Sequence, residues 1–177
     1  PYTVASGNGS GSGTLTVQTP ATFGVTITDT TAPVVAGAPL SVNATVANIG
    51  DVSGTQTVGL DAGALGTDAT ALSLDAGAST ELTLAVDTTP GDNGTYTVTV
   101  SSANETATAA ATVQTPAEFV VSVTGTTEPV VGDPLSVTAL VTNVGDVNDT
   151  QTVQMDAGEL GTNATTVTLA DNASTTV

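Results

Sequence analysis

Short runs in which apolar and polar residues alternate recur along the whole chain, and they are separated by turn-forming clusters. Strict alternation over a few residues is typical of a strand with one buried face. Clusters of Gly, Asp, Asn and Pro, such as Asn48–Asp51 and Pro90–Gly94, are typical of turns. The strands predicted between residues 21 and 115 are Phe23–Thr28, Leu40–Val46, Thr55–Leu60, Leu65–Leu74 (a short edge piece and then a strand), Leu82–Val86, Tyr96–Val100 and Ala107–Val113.

This pattern predicts an all-β protein. No segment has a convincing 3.6-residue period, and Thr, Val, Ala and Gly dominate the composition. Thr and Val fit the pleated surface of a sheet. About seven short strands, with turn signals every 8–12 residues or so, indicate an immunoglobulin-like sandwich.

The strand pattern repeats after about 95 residues. Four matched pairs are Tyr2 and Tyr96, Pro20 and Pro116, Pro39 and Pro134, and Asn48 and Asn143, at offsets of 94, 96, 95 and 95 residues. Repeats of a fixed period indicate an array of domains. We therefore expect three parts: residues 1–20 as the last two strands of a preceding repeat, 21–115 as a complete repeat, and 116–177 as the first part of the next repeat, without its final hairpin.

Residues 1–20 are predicted to form a hairpin with strands at Tyr2–Val4 and Thr14–Val17. The Gly-rich stretch Gly7–Gly13 would be its loop, since it lacks the Lys and the strand-to-helix context of a phosphate-binding loop. An isolated hairpin is marginal in water, so we expect this one to pair with something. A longer covalent array would supply that neighbour and is the explanation we favour. Strand complementation between subunits stays open as the alternative.

The charge of the chain is entirely negative. It contains 17 Asp and Glu but no Lys, Arg or His, which gives a formal charge of −17. Ion pairs between side chains are therefore impossible, and the carboxylates must be screened by solvent or salt. The Debye length falls to about 3 Å in 1 M salt, so this composition favours a saline environment.

The same composition excludes several classes of partner. Without cations the chain has nothing to neutralise phosphates, which excludes nucleic acid and argues against binding an anionic membrane surface. No stretch approaches 18 apolar residues, so we expect no membrane span. Residues 1–4 lack a basic region and are not expected to be a signal peptide. The absence of Cys excludes disulfides.

Several turn motifs resemble the CARDB family, the cell-adhesion-related domain of bacteria and archaea. They are the Asn48-Ile-Gly-Asp turn, Leu74-Asp-Ala-Gly-Ala-Ser79, and Pro90-Gly followed by Gly94-Thr-Tyr-Thr-Val98. The second repeat has the equivalents as far as Ala173-Ser174. The acidic, base-free composition also resembles haloarchaeal surface glycoproteins. These resemblances imply an extracellular, halophilic, immunoglobulin-like module, and the family has no shared catalytic site.

Acceptor motifs for N-glycosylation, Asn-x-Ser/Thr, are the strongest chemical signal. The chain has nine Asn, and 50 of its 177 residues are Ser or Thr, so chance predicts between two and three such motifs. Seven are present, and only the first and fourth correspond between repeats, so duplication does not explain the excess. We expect N-linked glycans at Asn8, Asn43, Asn93, Asn104, Asn148, Asn163 and Asn172.

No enzyme is expected, because the chain lacks His, Cys and Lys, and no base stands beside its Ser residues. Calcium is the remaining possibility as a bound ion, since carboxylates and turn carbonyls suit a hard cation. Turn formation by Asp accounts for the same residues equally well. The weak calcium candidates are Asp51, Asp61, Asp146 and Asp156, with Asp92 in a further turn.

These observations lead to one expectation about function. We expect a structural, extracellular surface protein in which tandem domains form a glycosylated filament, stalk or coat. Its partners would be copies of itself or adjacent repeats. The alternative is an adhesin-type module that binds a ligand or a neighbouring cell, and a noncatalytic region of a secreted enzyme is the third possibility.

Overall fold

The prediction of an all-β fold is confirmed. The structure is a computed structural model that describes all of residues 1–177, and its only helical pieces are two three-residue 3₁₀ turns, Gly63–Leu65 and Gly158–Leu160. The strands, in chain order from β1 to β15, are Tyr2–Ser6, Gly9–Gly13, Phe23–Thr30, Val34–Val35, Leu40–Asn48, Gly54–Asp61, Thr67–Leu74, Ser79–Val86, Gly94–Ser101, Thr106–Gln114, Phe119–Thr126, Val137–Asn143, Asp149–Asp156, Thr162–Leu169 and Ser174–Thr176.

The strands form sandwich-like pairs of sheets. One sheet has the order β4-β10-β9-β6-β7 and another has the order β3-β5-β8. At the matched positions of the second repeat, the sheets are β11-β12-β15 and β13-β14. Strands β1 and β2 pair only with each other.

Alternation along the strands places the apolar side chains inside. In β5 every second residue is buried, from Leu40 to Asn48. The bulkiest fully buried side chains belong to Phe, Leu and Val, with no Trp in the chain to add volume. In the second repeat, a smaller buried cluster consists of Val141, Val167 and Leu169, with Phe119 and Val153 packed against it.

The chain divides into two compact units. The first comprises Pro1–Thr30, Ser41–Val86 and Thr97–Ala109, and the second comprises Thr31–Leu40, Asp87–Tyr96 and Ala110–Val177. The repeat boundaries expected after residues 20 and 115 stay a prediction.

Two local predictions are wrong in the first 20 residues. The Gly-rich stretch is not a loop, because Gly9–Gly13 forms β2 and pairs with Tyr2–Ser6, with Gly7 and Asn8 in the turn. Thr14–Val17 lies outside any strand. The two-residue turn at Gly7 and Asn8 joins the strands directly, with Ser6 opposite Gly9 and Tyr2 opposite Gly13. Elsewhere, the edge piece expected at Leu65 is the first 3₁₀ turn, and β4 was not expected.

Candidate functional site

Two buried Asn side chains lie where β5 and β12 end, and with a nearby Asp each holds the segment that precedes β3 or β11. We call each arrangement a linker clasp. The first clasp joins Gln18–Pro20 to Asn48–Asp51, and the second joins Gln114–Pro116 to Asn143–Asp146.

The centre of the first clasp is the buried side chain of Asn48. Its Oδ1 accepts hydrogen bonds from the backbone N–H groups of Thr22 and Gly50, both at 3.1 Å. Its Nδ2 donates to the carbonyl oxygen of Val52 at 2.8 Å, and to those of Leu74 and Asp75 at 3.2 Å. One amide therefore satisfies backbone groups from three segments, as a buried polar side chain must.

Asp51 holds the linker itself. Its Oδ2 accepts the backbone N–H of Thr19 at 2.8 Å, while its own N–H donates to the carbonyl oxygen of Thr19 at 3.0 Å. Gln18 Nε2 donates to the carbonyl oxygen of Asp51 at 3.5 Å. The N–H of Thr19, assisted by a hydrogen bond from its side chain, lowers the pKa of Asp51 below its ordinary value, because both bonds favour the charged form.

The second clasp repeats the first except for one hydrogen bond, since Asn143 has no counterpart of the bond from Asn48 to Leu74. Asn143 Oδ1 accepts from the N–H groups of Glu118 and Gly145 at 3.2 and 3.0 Å, and Nδ2 donates to the carbonyl oxygens of Val147 and Ala170 at 2.8 and 3.0 Å. Asp146 Oδ2 accepts the N–H of Thr115 at 2.8 Å, and the pKa of Asp146 is lowered for the same reason as that of Asp51.

The glycine in each clasp is required by space. A Cβ placed on Gly50 would overlap the carbonyl oxygen of Pro20, and one on Gly145 would overlap that of Pro116. Neither glycine has a positive φ. The requirement is thus close approach of the linker backbone, and any side chain at these positions would displace the linker.

The nine Asn residues form two groups, the seven predicted glycosylation sites and the two Asn at the centres of the clasps. Asn48 and Asn143 are the two Asn outside acceptor motifs, and both are buried. Asn43 is half-buried in β5, and its Oδ1 accepts a hydrogen bond from the hydroxyl of Thr83 at 2.7 Å. The other predicted sites, all exposed, are Asn8, Asn93, Asn104, Asn148, Asn163 and Asn172. Attachment of glycans at these seven residues stays a prediction.

The calcium candidates are occupied by hydrogen bonds within the chain. Asp61 Oδ1 accepts the N–H of Gly63, and Asp156 Oδ1 accepts that of Gly158, both at 2.8 Å. Asp92 Oδ2 accepts both the N–H and the hydroxyl of Thr89, at 2.6 and 2.8 Å, and these bonds lower the pKa of Asp92. The structure brings no three acidic side chains together in a group that would hold one metal ion. Calcium binding stays a hypothesis for these positions.

Sequence reasoning identified both halves of the clasp but not their contact. The sequence predicts a turn at Asn48–Asp51 and repeat boundaries after residues 20 and 115, close to the two Gln-Thr-Pro motifs. The available signal was that both motifs recur together, Gln18-Thr-Pro with Asn48 and Gln114-Thr-Pro with Asn143. Joint recurrence of two distant motifs is consistent with contact between them.

Comparison with known proteins gives little further guidance. No protein-family model matches the chain, and no curated protein matches it. Among solved structures, it is similar to red sea bream transglutaminase with a TM-score of 0.41 and 19% identity, over 88% of this chain and 26% of the transglutaminase. The chain thus spans about a quarter of that protein, and no argument about activity rests on this likeness. No helix in the structure has the length and apolar character needed to cross a membrane.

Proposed function

We propose that the protein is a structural component of a cell surface, in which tandem immunoglobulin-like domains form a glycosylated filament, stalk or coat in a saline environment. The duplicated linker clasp carries this proposal. A binding module has no need to hold each linker in the same way, whereas an extended array gains stiffness from doing so.

The clasp suits a mechanical role because it converts a short linker into a fixed part of the next domain. The backbones of Thr19 and Thr115 each make two hydrogen bonds with an Asp that lies three residues after the buried end of a strand: the Thr N–H donates to the Asp side chain at 2.8 Å, and the Thr carbonyl oxygen accepts from the Asp N–H at 3.0 Å. Hydrogen bonds to a charged acceptor are stronger than neutral ones. The linkers therefore have fewer accessible conformations than free chain, which favours a regular array.

The surface chemistry supports an extracellular position. The acidic side chains outnumber cations 17 to none, and six of the seven acceptor Asn are exposed. Glycans and carboxylates both bind water, which keeps an array soluble in salt. The chain has no His, Cys or Lys, and no group of its acidic side chains gathers at one place, so we propose a noncatalytic role.

Immunogold labelling of intact producing cells tests this function. Antibodies raised against the purified chain should decorate threads or a coat at the surface without permeabilisation, and preimmune serum is the control. Glycopeptide mass spectrometry of the same material should find sugar at acceptor Asn and none at Asn48 or Asn143, which serve as internal controls. Labelling that requires permeabilisation would contradict the proposal, and labelling confined to thread tips would favour the adhesin.

A further inference from the structure

The predicted glycan acceptor Asn43 lies in the central strand of a three-stranded sheet. Its strand, β5, stands between β3 and β8 and therefore pairs on both sides. The side chains before and after it, Val42 and Ala44, are buried, whereas Asn43 is half-buried on the outer face of the sheet. Alternation along the strand thus directs the acceptor amide outward, while the backbone that bears it stays between two neighbours.

Both neighbouring strands also make hydrogen bonds to Asn43. Its Oδ1 accepts the hydroxyl of Thr83 in β8 at 2.7 Å, and its carbonyl oxygen accepts the hydroxyl of Thr28 in β3 at 3.2 Å. Thr45, the third residue of the acceptor motif, is opposite Thr26 in the ladder with β3. The whole acceptor motif is therefore held by other strands.

Release of this motif from the sheet would open the core of the first repeat. Val42 and Val46 of β5 are fully buried, and so is Leu84 of β8 apart from 2% of its surface. A strand that buries its apolar side chains and pairs on both sides opens only together with a large part of the fold. The motif is thus flexible chain only before β5 joins the sheet.

The acceptor Asn104 is arranged differently, because it lies in the turn between β9 and β10. Its side chain is exposed, and its Oδ1 accepts the N–H of Phe23 at 3.0 Å and Nε2 of Gln56 at 2.7 Å. These bonds hold the amide by its oxygen. Exposed turns open at much smaller cost than central strands, so the folded chain presents this second motif to an enzyme.

Glycan transfer requires access to the whole acceptor motif. The reaction joins Nδ2 of Asn to the anomeric carbon of an activated sugar. The bond from that carbon to the phosphate of the donor breaks, the phosphate leaves with the electron pair, and the amide loses one proton. Because the motif includes the hydroxyl two residues after the Asn, the transferase must take up three residues of backbone as one unit. A motif paired on both sides within a sheet does not allow this.

We propose that Asn43 accepts a glycan only before β5 pairs with β3 and β8, whereas Asn104 accepts one in the folded chain as well. The folded chain keeps a glycan already attached to Asn43, because this side chain projects from the outer face of the sheet. The inference rests on the proposed function, since it concerns two of the glycan sites of that proposal. A glycan at Asn43 then records that the cell modified the chain before it folded.

Glycosylation in vitro, with a soluble N-glycosyltransferase and UDP-glucose as the donor, tests this order of events. The substrate is the full chain from a host without glycosylation, in salt that keeps it folded by circular dichroism. Mass spectrometry of peptides cut at Asp and Glu follows each Asn. In the folded wild type, Asn104 should be modified readily, and Asn43 at least about a hundredfold more slowly than in an unfolded chain, because native domains populate open states to about one part in a thousand or less.

Two variants identify what protects Asn43. V58D/L84D places two charges in the core and unfolds the first repeat without changing either acceptor motif, so Asn43 and Asn104 should be modified at similar rates. T83A removes the hydroxyl that donates to Asn43 but leaves β5 paired. We expect T83A to protect Asn43 as the wild type does, because the pairing of the strand is the cause of the protection.

The outcomes separate this inference from the proposed function. Modification of Asn43 in the folded wild type at the rate seen in V58D/L84D would overturn the inference, and so would rapid modification of Asn43 in T83A. Failure to modify Asn43 in V58D/L84D, or Asn104 in the folded chain, would overturn it as well. Surface labelling of cells tests the proposed function separately. Labelling that requires permeabilisation, together with protection of Asn43, would contradict the function and support the inference.

Discussion

At the scale of single residues, burial separates two kinds of asparagine. Asn48 and Asn143 are buried and bond backbone groups that would otherwise lack partners. Removal of a buried partner costs the desolvation of every group left behind. The exposed Asn side chains are open to solvent, and the one that bonds a backbone group, Asn104, uses its Oδ1 and leaves its Nδ2 for modification.

The clasp carboxylates predict a dependence of stability on pH. The pKa values of Asp51 and Asp146 are lowered in the folded chain from the ordinary value of 3.8. A lowered folded pKa adds stability that is fully present above the unfolded pKa and is lost as pH falls through the folded pKa. We therefore expect a D51N/D146N variant to be less stable than the wild type at pH 7, with a difference that shrinks below about pH 4.

Urea unfolding in about 1 M salt, which screens the general repulsion, measures this difference. D171N, which removes an acidic charge from an exposed turn without a clasp, is the control and should follow the wild type. A difference between the double variant and the wild type that persists unchanged at pH 2 would contradict the assignment.

At the scale of elements, the clasp needs space at the end of a strand for the backbone of the linker. Gly145 follows β12 by two residues and lies against the carbonyl of Pro116. We expect G145A to displace the linker and to cost about 1–3 kcal/mol, as other overpacked sites do. G125A is the control, because a Cβ there meets only Thr138 at 3.9 Å.

Limited proteolysis localises the effect of G145A. Glu118 lies two residues after Pro116, the last residue of the linker, and its N–H donates to Asn143. A Glu-specific protease should cut G145A after Glu118 faster than it cuts the wild type, while cleavage after the exposed Glu159 stays unchanged. Equal acceleration at both sites would indicate general unfolding and would contradict a local role for the glycine.

At the scale of the whole molecule, the long-range electrostatic interactions are governed by negative charges that no cation compensates. With a formal charge of −17 and no cation, every long-range interaction between side chains is repulsive. Added salt screens that repulsion, so we expect the melting temperature to rise steeply with NaCl and to level off near about 1 M. Each kcal/mol of repulsion removed should raise it by about 2–4 °C for a chain of this size.

Thermal melting monitored by circular dichroism measures the salt effect. The same titration near pH 3, where carboxylates become neutral, is the control and should show a much smaller rise. A melting temperature that does not change with salt at pH 7 would show that repulsion is not a significant part of the stability.

The sequence by itself determined the positions of most strands, the 95-residue period and the sign of the charge. These properties are local or additive: alternation reports which residues share a face, and charge is a sum over residues. The N-terminal hairpin shows the limit of such reasoning, because the pattern placed a strand at Thr14–Val17, whereas the tight turn at Gly7 and Asn8 selected Gly9–Gly13.

Only the tertiary structure decided what the turn motifs contact. Thr19 and Asp51 are 32 residues apart, and Asn48 and Asp75 are 27 apart. No local pattern encodes which distant backbone group an amide or carboxylate meets, because that depends on how the strand ends are brought together.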